Sequence, residues 1–317
     1  MWLGARPPGV KPSSAPCSGA PLVQAVKNAN TSVWGWRNGT TAANIKASER
    51  EDADDGRAVS GLAMALVAVP SLGPVRKAWQ RLGFKVTEIG GFLGCPAFEV
   101  RLAGTGVRFV TPPRDPAATA LGSVVADRLV AGSGLLGWSW ACADVDRSRQ
   151  VIEKRSGRSF PINHKGAKTF VVPPALNPGA VTTLEAGNKN HAPTHPNGIT
   201  RLDHLVVTVS DADAATGAYK RNFGLTPQAK TMKKRRYSFL KVGNSVVEIV
   251  GPAPPEPGPP TGRPWGLAFH CPDLDATVTN IRSAGVDIAD PYPAHQGGRI
   301  TKLSMQLGGV QIAFMGN

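Results

Sequence analysis

One succession of elements recurs four times along this chain, and that repetition limits the fold more than any other property of the sequence. The best-defined copy begins at Leu205–Val209, where Leu205, Val207 and Val209 alternate with Val206 and Thr208 as a two-faced strand requires. A helix is expected from Asp211 to Phe223, capped by Ser210 or Asp211 and stopped by Gly224. Tyr237–Val242, a Gly243-Asn244 turn and Val246–Val250 then read as a hairpin. Strand, helix and hairpin follow in the same order from residue 61: Leu62–Val69, a short helix over Val75–Leu82 stopped by Gly83, then Phe98–Leu102 and Val107–Val110 around Gly104. Two further copies share another signature. Gly137 to Asp146 (GWSWACADVD) matches Gly266 to Asp275 (GLAFHCPDLD) position for position, a strand running into an Asp-x-Asp helix cap. The last copy is expected to close with a hairpin of Lys302–Leu307 and Val310–Phe314. The units fall near 61–112, 134–185, 200–251 and 263–317; paired, they predict two domains, 58–187 and 198–317, joined by a polar, turn-rich linker.

Residues 1–57 lack this periodicity. Met1 to Ser48 carry five basic residues and no acidic one, and Glu49, Glu51, Asp52, Asp54 and Asp55 follow as a solvated acidic cluster. That composition suits a disordered tail or an organelle transit segment, giving a cytoplasmic location or, after removal of the segment, an organelle matrix. No apolar run is long enough to cross a bilayer, so no membrane partner is expected. Glycine (36) and proline (28) are abundant, which favours turns and short strands over long helices. The net charge of +14 invites nucleic acid, but no recognition motif accompanies it and aromatic residues are only 6%, so a basic surface or an anion-binding cavity is preferred. Cys17, Cys95, Cys142 and Cys271 are far apart and form no CxxC pair; they read as reduced thiols, with neither a zinc site nor a disulfide framework.

Leu202-Asp203-His204 running on to Asp211, with Phe223-Gly224-Leu225 after the helix, resembles the opening βαβββ module of the vicinal oxygen chelate (VOC) superfamily. Val242 to Ile249 resembles that module's last strand, and Phe269 to Asp275 the start of a second module. Glyoxalase-like members are the nearest in pattern, including the His195-Pro196-Asn197-Gly198 lead-in to a second domain. The resemblance implies an α+β fold of four βαβββ modules paired into two glyoxalase-like domains, each closing a cup-shaped sheet. It also implies a divalent ion (Fe, Mn, Zn or Ni) held by residues of first and last strands, gripping two vicinal oxygens of a small metabolite.

Carried over residue by residue, the resemblance makes His204 and Glu248 metal ligands and Glu248 a catalytic base. The matching positions in the next module are Gly266 and Ala313, which have no donor atom; in the N-terminal half they are Met64, Phe109, Gly137 and a degenerate last strand. His270 lies four residues after Gly266, about 13 Å along the strand, too far to replace it as a ligand. It joins Gln311, two residues before Ala313 on the same face, as a substrate-binding candidate, while His295 lies in a loop. Two protein ligands hold an ion weakly, since catalytic sites usually carry three. Lys233 to Arg236 reads mainly as a charged strand edge that discourages aggregation, with Arg236 the residue to clamp an anionic substrate. Trp138 and Trp140 are expected in core or inter-domain packing, Cys142 and Cys271 as small buried residues, and His191 and His195 in turns. The readings that remain are a lyase, isomerase or dioxygenase using the C-terminal cup, a metal-free binding protein of the bleomycin-resistance type, and a basic scaffold for an acidic partner. The N-terminal domain is expected to be structural, and a homodimer is compatible with the pattern.

Overall fold

A computed structural model describes residues 56–159, 169–187, 192–232, 234–258, 261–294 and 297–317. The tail expected over 1–57 therefore lies almost entirely outside the described residues, as do His191, Lys233 and His295.

The N-terminal sheet is built from β1 (Gly61–Ala68), β2 (Thr87–Phe92), β3 (Cys95–Leu102), β4 (Thr105–Val110), β5 (Gly134–Cys142), β6 (Phe170–Val172) and β7 (Val181–Ala186), in the order β2-β3-β4-β1-β5-β7-β6. The C-terminal sheet contains β8 (Arg201–Val209), β9 (Pro227–Met232), β10 (Arg235–Val242), β11 (Ser245–Pro252), β12 (Gly262–His270), β13 (Tyr292–Pro293), β14 (Arg299–Lys302) and β15 (Gln311–Gly316), in the order β13-β14-β15-β12-β8-β11-β10-β9. In each sheet the first strands of two modules pair antiparallel at the centre (β1 with β5, β8 with β12), and each first strand runs parallel to its own module's last strand. The fourfold repeat is thus real, and the fold is α+β with paired βαβββ modules.

Four helices follow the four first strands: α1 (Leu72–Arg81), α3 (Val145–Ser156), α4 (Ala212–Phe223) and α5 (Leu274–Ser283). The Asp-x-Asp signature works as the sequence suggests. Asp144, Asp211 and Asp273 each accept a bond from the backbone N–H three residues on, and Asp146, Asp213 and Asp275 place a second negative charge in the first turn, against the positive end of the helix dipole. Gly224 ends α4 with a left-handed φ of 72°, open to glycine at little cost.

These helices cover one face of each sheet, and the two helix-bearing faces share a single core. Trp79 of α1 meets Phe269 of β12 edge-on, and Trp138 and Trp140 pack on Tyr219 and Phe223 of α4. The tryptophans therefore do the packing expected of them. Polar clasps fix the same junction. Arg81 donates to the carbonyls of Ala284 and Gly285 at the end of α5, and Asn197 Nδ2 to Leu82 O. His195 is not merely a turn residue. Buried between the halves, it accepts the Lys85 N–H at Nδ1 (2.9 Å) and reaches Arg101 O with Nε2 (2.8 Å).

Among the elements, a helix and the closing hairpin depart from the sequence reading. A fifth helix, α2 (Ala120–Val130), lies on the inner face of the N-terminal sheet, the face without crossover helices, with Leu121 and Val125 against Leu66, Ala68 and Val110. The closing hairpin pairs Arg299–Lys302 with Ala313–Gly316, and Leu303 to Val310 is an excursion held by isolated bridges rather than a pair of strands. Gly308 and Gly309, both at positive φ, turn the chain there.

Candidate functional site

On β8, Leu202 and Leu205 both point into the common core although two residues separate them, which simple alternation forbids. A β-bulge resolves the conflict: opposite β12, Ala268 pairs with His204 and Phe269 with Leu202, leaving Asp203 without a partner position. The bulge turns Asp203 and His204 to the same inner face. His204 Nδ1 then lies 2.6 Å from Asp203 Oδ2, an ion pair when the imidazole is protonated. Arg201 Nη2 donates to the other Asp203 oxygen at 2.6 Å.

Glu248 projects from β11 onto the same inner face, level with Val206 and Phe239. It is 2% exposed, His204 is 5% exposed, and Glu248 Oε1 has no hydrogen-bond partner among the described residues. Tyr237, Phe239, Val206 and Val250 form the apolar wall around it, with Trp265 against them. Burial pushes the Glu248 carboxyl up to about 7, only partly offset by His204. Burial works against the His204 imidazolium, but Asp203 and then Glu248 outweigh it and hold its pKa above the ordinary value. Asp203 is also largely buried; His204 and Arg201 override that and keep it below the usual carboxylate range. The arrangement is a neutral-pH carboxyl beside a stabilised imidazolium, inside an apolar wall.

The other candidates are less central. His270 sits at the end of the inner face, its Nδ1 3.2 Å from Thr200 Oγ1, and burial lowers its pKa. Gln311 pairs with Gly266 in register, but its Nε2 donates to Leu303 O at 3.1 Å. Arg236 is turned to the helix-bearing face, where it pairs with Asp213 of α4 at 2.9 Å, so it does not reach this wall. Its neighbour Arg235 alternates in step with Tyr237 and Phe239 and so falls on the inner face. Strand alternation was the signal that could have picked Arg235. Burial pushes the Cys142 and Cys271 thiols up to about 11 and about 12, against any nucleophilic role.

Register settles the equivalent positions in the N-terminal sheet. The same bulge recurs at Ala63, so Met64 stands where His204 stands. On β4, Arg108 pairs with Leu66 as Glu248 pairs with Val206, so Arg108, not Phe109, occupies the carboxylate position; Phe109 faces the core. Gly137 and Thr183 complete the set, β7 being a well-formed strand.

For a metal, the C-terminal donor set is short. Gly266 and Ala313 offer no side-chain donor, and Asp203 is already shared by Arg201 and His204. Among the described residues no three His, Cys, Asp or Glu side chains are grouped to hold an ion. These residues do not fit a three-ligand centre.

Comparison with known proteins agrees with this architecture. Residues 201–303 match the model of the glyoxalase/bleomycin resistance protein/dioxygenase superfamily, and residues 65–223 match that of a glyoxalase-like domain. No curated protein matches the chain significantly. Among solved structures, a xylose isomerase-like TIM barrel/4-hydroxyphenylpyruvate dioxygenase fusion protein superposes with a TM-score of 0.57 at 14% identity. That match covers 82% of this chain but only 49% of the fusion protein, so this chain spans about half its length. A mutant 4-hydroxymandelate synthase from Streptomyces coelicolor superposes with a TM-score of 0.54 at 13% identity, over 81% of this chain and 92% of the other. At such identities the likeness is one of fold. Together, the repeated βαβββ modules, their pairing about central antiparallel strands and the two family matches show that the chain belongs to the vicinal oxygen chelate superfamily, as a glyoxalase-like protein.

Proposed function

We propose that this protein binds a small vicinal-oxygen metabolite on the inner face of its C-terminal sheet and exchanges a proton with it through Glu248. The observation that carries this reading is Glu248 itself, buried to 2%, with one oxygen unpartnered and a pKa pushed up to about 7. An unpaired buried carboxyl costs stability, and keeping it poised at neutral pH is the property a general acid–base group needs. His204, favoured as a cation by Asp203, supplies the positive charge that a developing enolate or an anionic oxygen would seek, in place of a metal ion. Arg235 gives a second positive charge for a ligand carboxylate, the role expected of Arg236. Tyr237 and Phe239 suit an apolar or aromatic body on the ligand.

Binding of catechols, hemithioacetals and α-hydroxyketones to the full chain, followed by calorimetry from pH 5.5 to 8.5, tests the proposal. Affinity for the ligand is expected to change with a midpoint near 7, and Glu248→Gln to abolish that dependence while retaining part of the affinity. Ligands that bind equally well to the parent and to both Glu248→Gln and His204→Ala would overturn it. The metal-free binding protein is the same site without chemistry. Ligand C–H exchange with deuterated solvent, present in the parent and absent in Glu248→Gln, separates the two.

A further inference from the structure

A cavity of about 850 Å3 opens onto the inner face of the N-terminal sheet, beside the part that α2 covers, and Val242 to Ser245, at the β10–β11 turn of the C-terminal sheet, line its other side. That is ample for a small molecule. Its wall carries a chain of alternating charge, Arg101–Glu99–Arg108–Glu185. Arg101 Nε donates to Glu99 Oε2 (2.8 Å), Arg108 Nε and Nη2 to Glu99 Oε1 (2.8 and 2.6 Å), and Arg108 Nη1 and Nη2 to the two Glu185 oxygens (3.1 Å each). Arg108 Nη1 also lies 3.4 Å from Ser139 Oγ, and Phe92 stacks on its guanidinium with the ring centre 3.9 Å away. The side chains of Arg108 and Glu99 are 6% and 4% exposed. An arginine thus stands at the register position that Glu248 holds in the other sheet, with every one of its N–H groups engaged.

The spare hydrogen-bonding capacity lies at the two ends of this chain. Glu185 lines the cavity, and each of its oxygens accepts one long bond among the described residues, leaving a lone pair to spare. Arg101 spends only Nε, and its two terminal amino groups have no partner among the described residues. Thr105 Oγ1, at the cavity wall, is buried without a hydrogen bond among the described residues. Acceptors at one end and a cationic fork at the other, with a closed ion pair between them, match a ligand whose ammonium and carboxylate are farther apart than in an α-amino acid. We infer that the N-terminal cup, expected to be structural only, is a second binding site that takes a dipeptide-sized zwitterion, its ammonium on Glu185 and its carboxylate on Arg101.

The test is calorimetric titration of the full chain with a Gly-X dipeptide set, each peptide paired with its N-acetyl and C-amide forms. Saturable one-to-one binding by at least one free dipeptide is expected, weakened about tenfold or more by either blocking group, as loss of a charged hydrogen bond implies. Glu185→Gln and Arg101→Met should weaken it similarly, and Glu248→Gln should leave it intact. Ala143→Trp plugs the exposed rim of the cavity without touching the charge chain, so it decides the matter should a charge variant fail to fold. Absence of binding across the set, binding indifferent to the blocking groups, or binding that survives Ala143→Trp overturns the inference.

Discussion

Replacing Glu248 by glutamine should make the protein more stable at alkaline pH, and the size of the gain follows from the site. A glutamate in the unfolded chain titrates near 4.5, whereas burial holds Glu248 near 7. Between those values the folded state keeps a proton that the unfolded state has lost. The contribution is therefore full below pH 4.5 and is lost as pH rises through 7. Relative to the protonated state, the ionised carboxyl costs the fold ~3 kcal/mol above pH 7. Glutamine is neutral throughout and escapes this cost. Asp203, the main partner of His204, is present in both proteins, so their difference reports Glu248 together with its coupling to His204. Urea unfolding at pH 5 and pH 8 is the assay: the stability of Glu248→Gln minus that of the parent should rise by about 2–3 kcal/mol between the two pH values. Parallel stability curves would refute the reasoning, because they would mean that the carboxyl reaches water or an alternative donor and is not held neutral by burial.

Other consequences can be checked as simply. Arg108→Met leaves Glu185 unpaired and Glu99 with only Arg101, and should cost about 3–5 kcal/mol in urea unfolding; the triple replacement that also converts Glu99 and Glu185 to Met and Gln should recover much of it. His195 must be neutral to accept the Lys85 N–H, and burial lowers its pKa, so its contribution is present above about 6.5 and lost as pH falls through the lower folded value. An acid-limb loss of stability that His195→Asn removes would confirm the clasp; an unchanged acid limb would not. Titration with Zn(II), Mn(II), Fe(II) or Ni(II) should reveal no tight stoichiometric site on the C-terminal sheet, and a tight ion lost in both His204→Ala and Glu248→Ala would contradict the donor-set argument.

The two sheets show how one backbone carries opposite chemistries. Both keep the bulge in the first strand, at Ala63 and at Asp203, and both keep a second shift where Leu136 and Trp265 stand. The backbone device that re-aims side chains to the inner face therefore persists where the residues on it have changed completely. Met64 and Arg108 face inward in one sheet, His204 and Glu248 in the other. The N-terminal face neutralises its arginine with two carboxylates and leaves a cavity walled by that charge chain. The C-terminal face isolates its carboxyl against tyrosine and phenylalanine and so raises its pKa. A bulge is cheap to retain once the core face is packed around it, because removing it would shift Leu202 or Leu62 out of the shared core.

That same bulge explains what could be read from the residues and what could not. Module order, the Asp caps and Gly224 follow from local patterns of period two and from capping chemistry, so the sequence discloses them; that His204 and Glu248 belong together came from the family resemblance, and the strand register places both on one face. Arg108 was not legible, because equating it with Glu248 requires knowing which residue of β4 lies beside Leu66, and Phe109 is the more conspicuous member of an apolar strand. Arg236 was misplaced for a related reason: in Lys234-Arg235-Arg236 charge alone does not choose a face, and only the inward positions of Tyr237 and Phe239 put Arg235 on the inner face and leave Arg236 on the face of Asp213. Helix α2 has a weakly two-sided sequence, and only its contact with Leu66, Ala68 and Val110 gives it a face to bury. Asp203 is the most telling case. As a residue of an alternating strand it belongs on the face opposite His204; only the bulge brings its carboxylate to 2.6 Å from the imidazole, where it is the foremost of the charges that hold the His204 pKa up against burial.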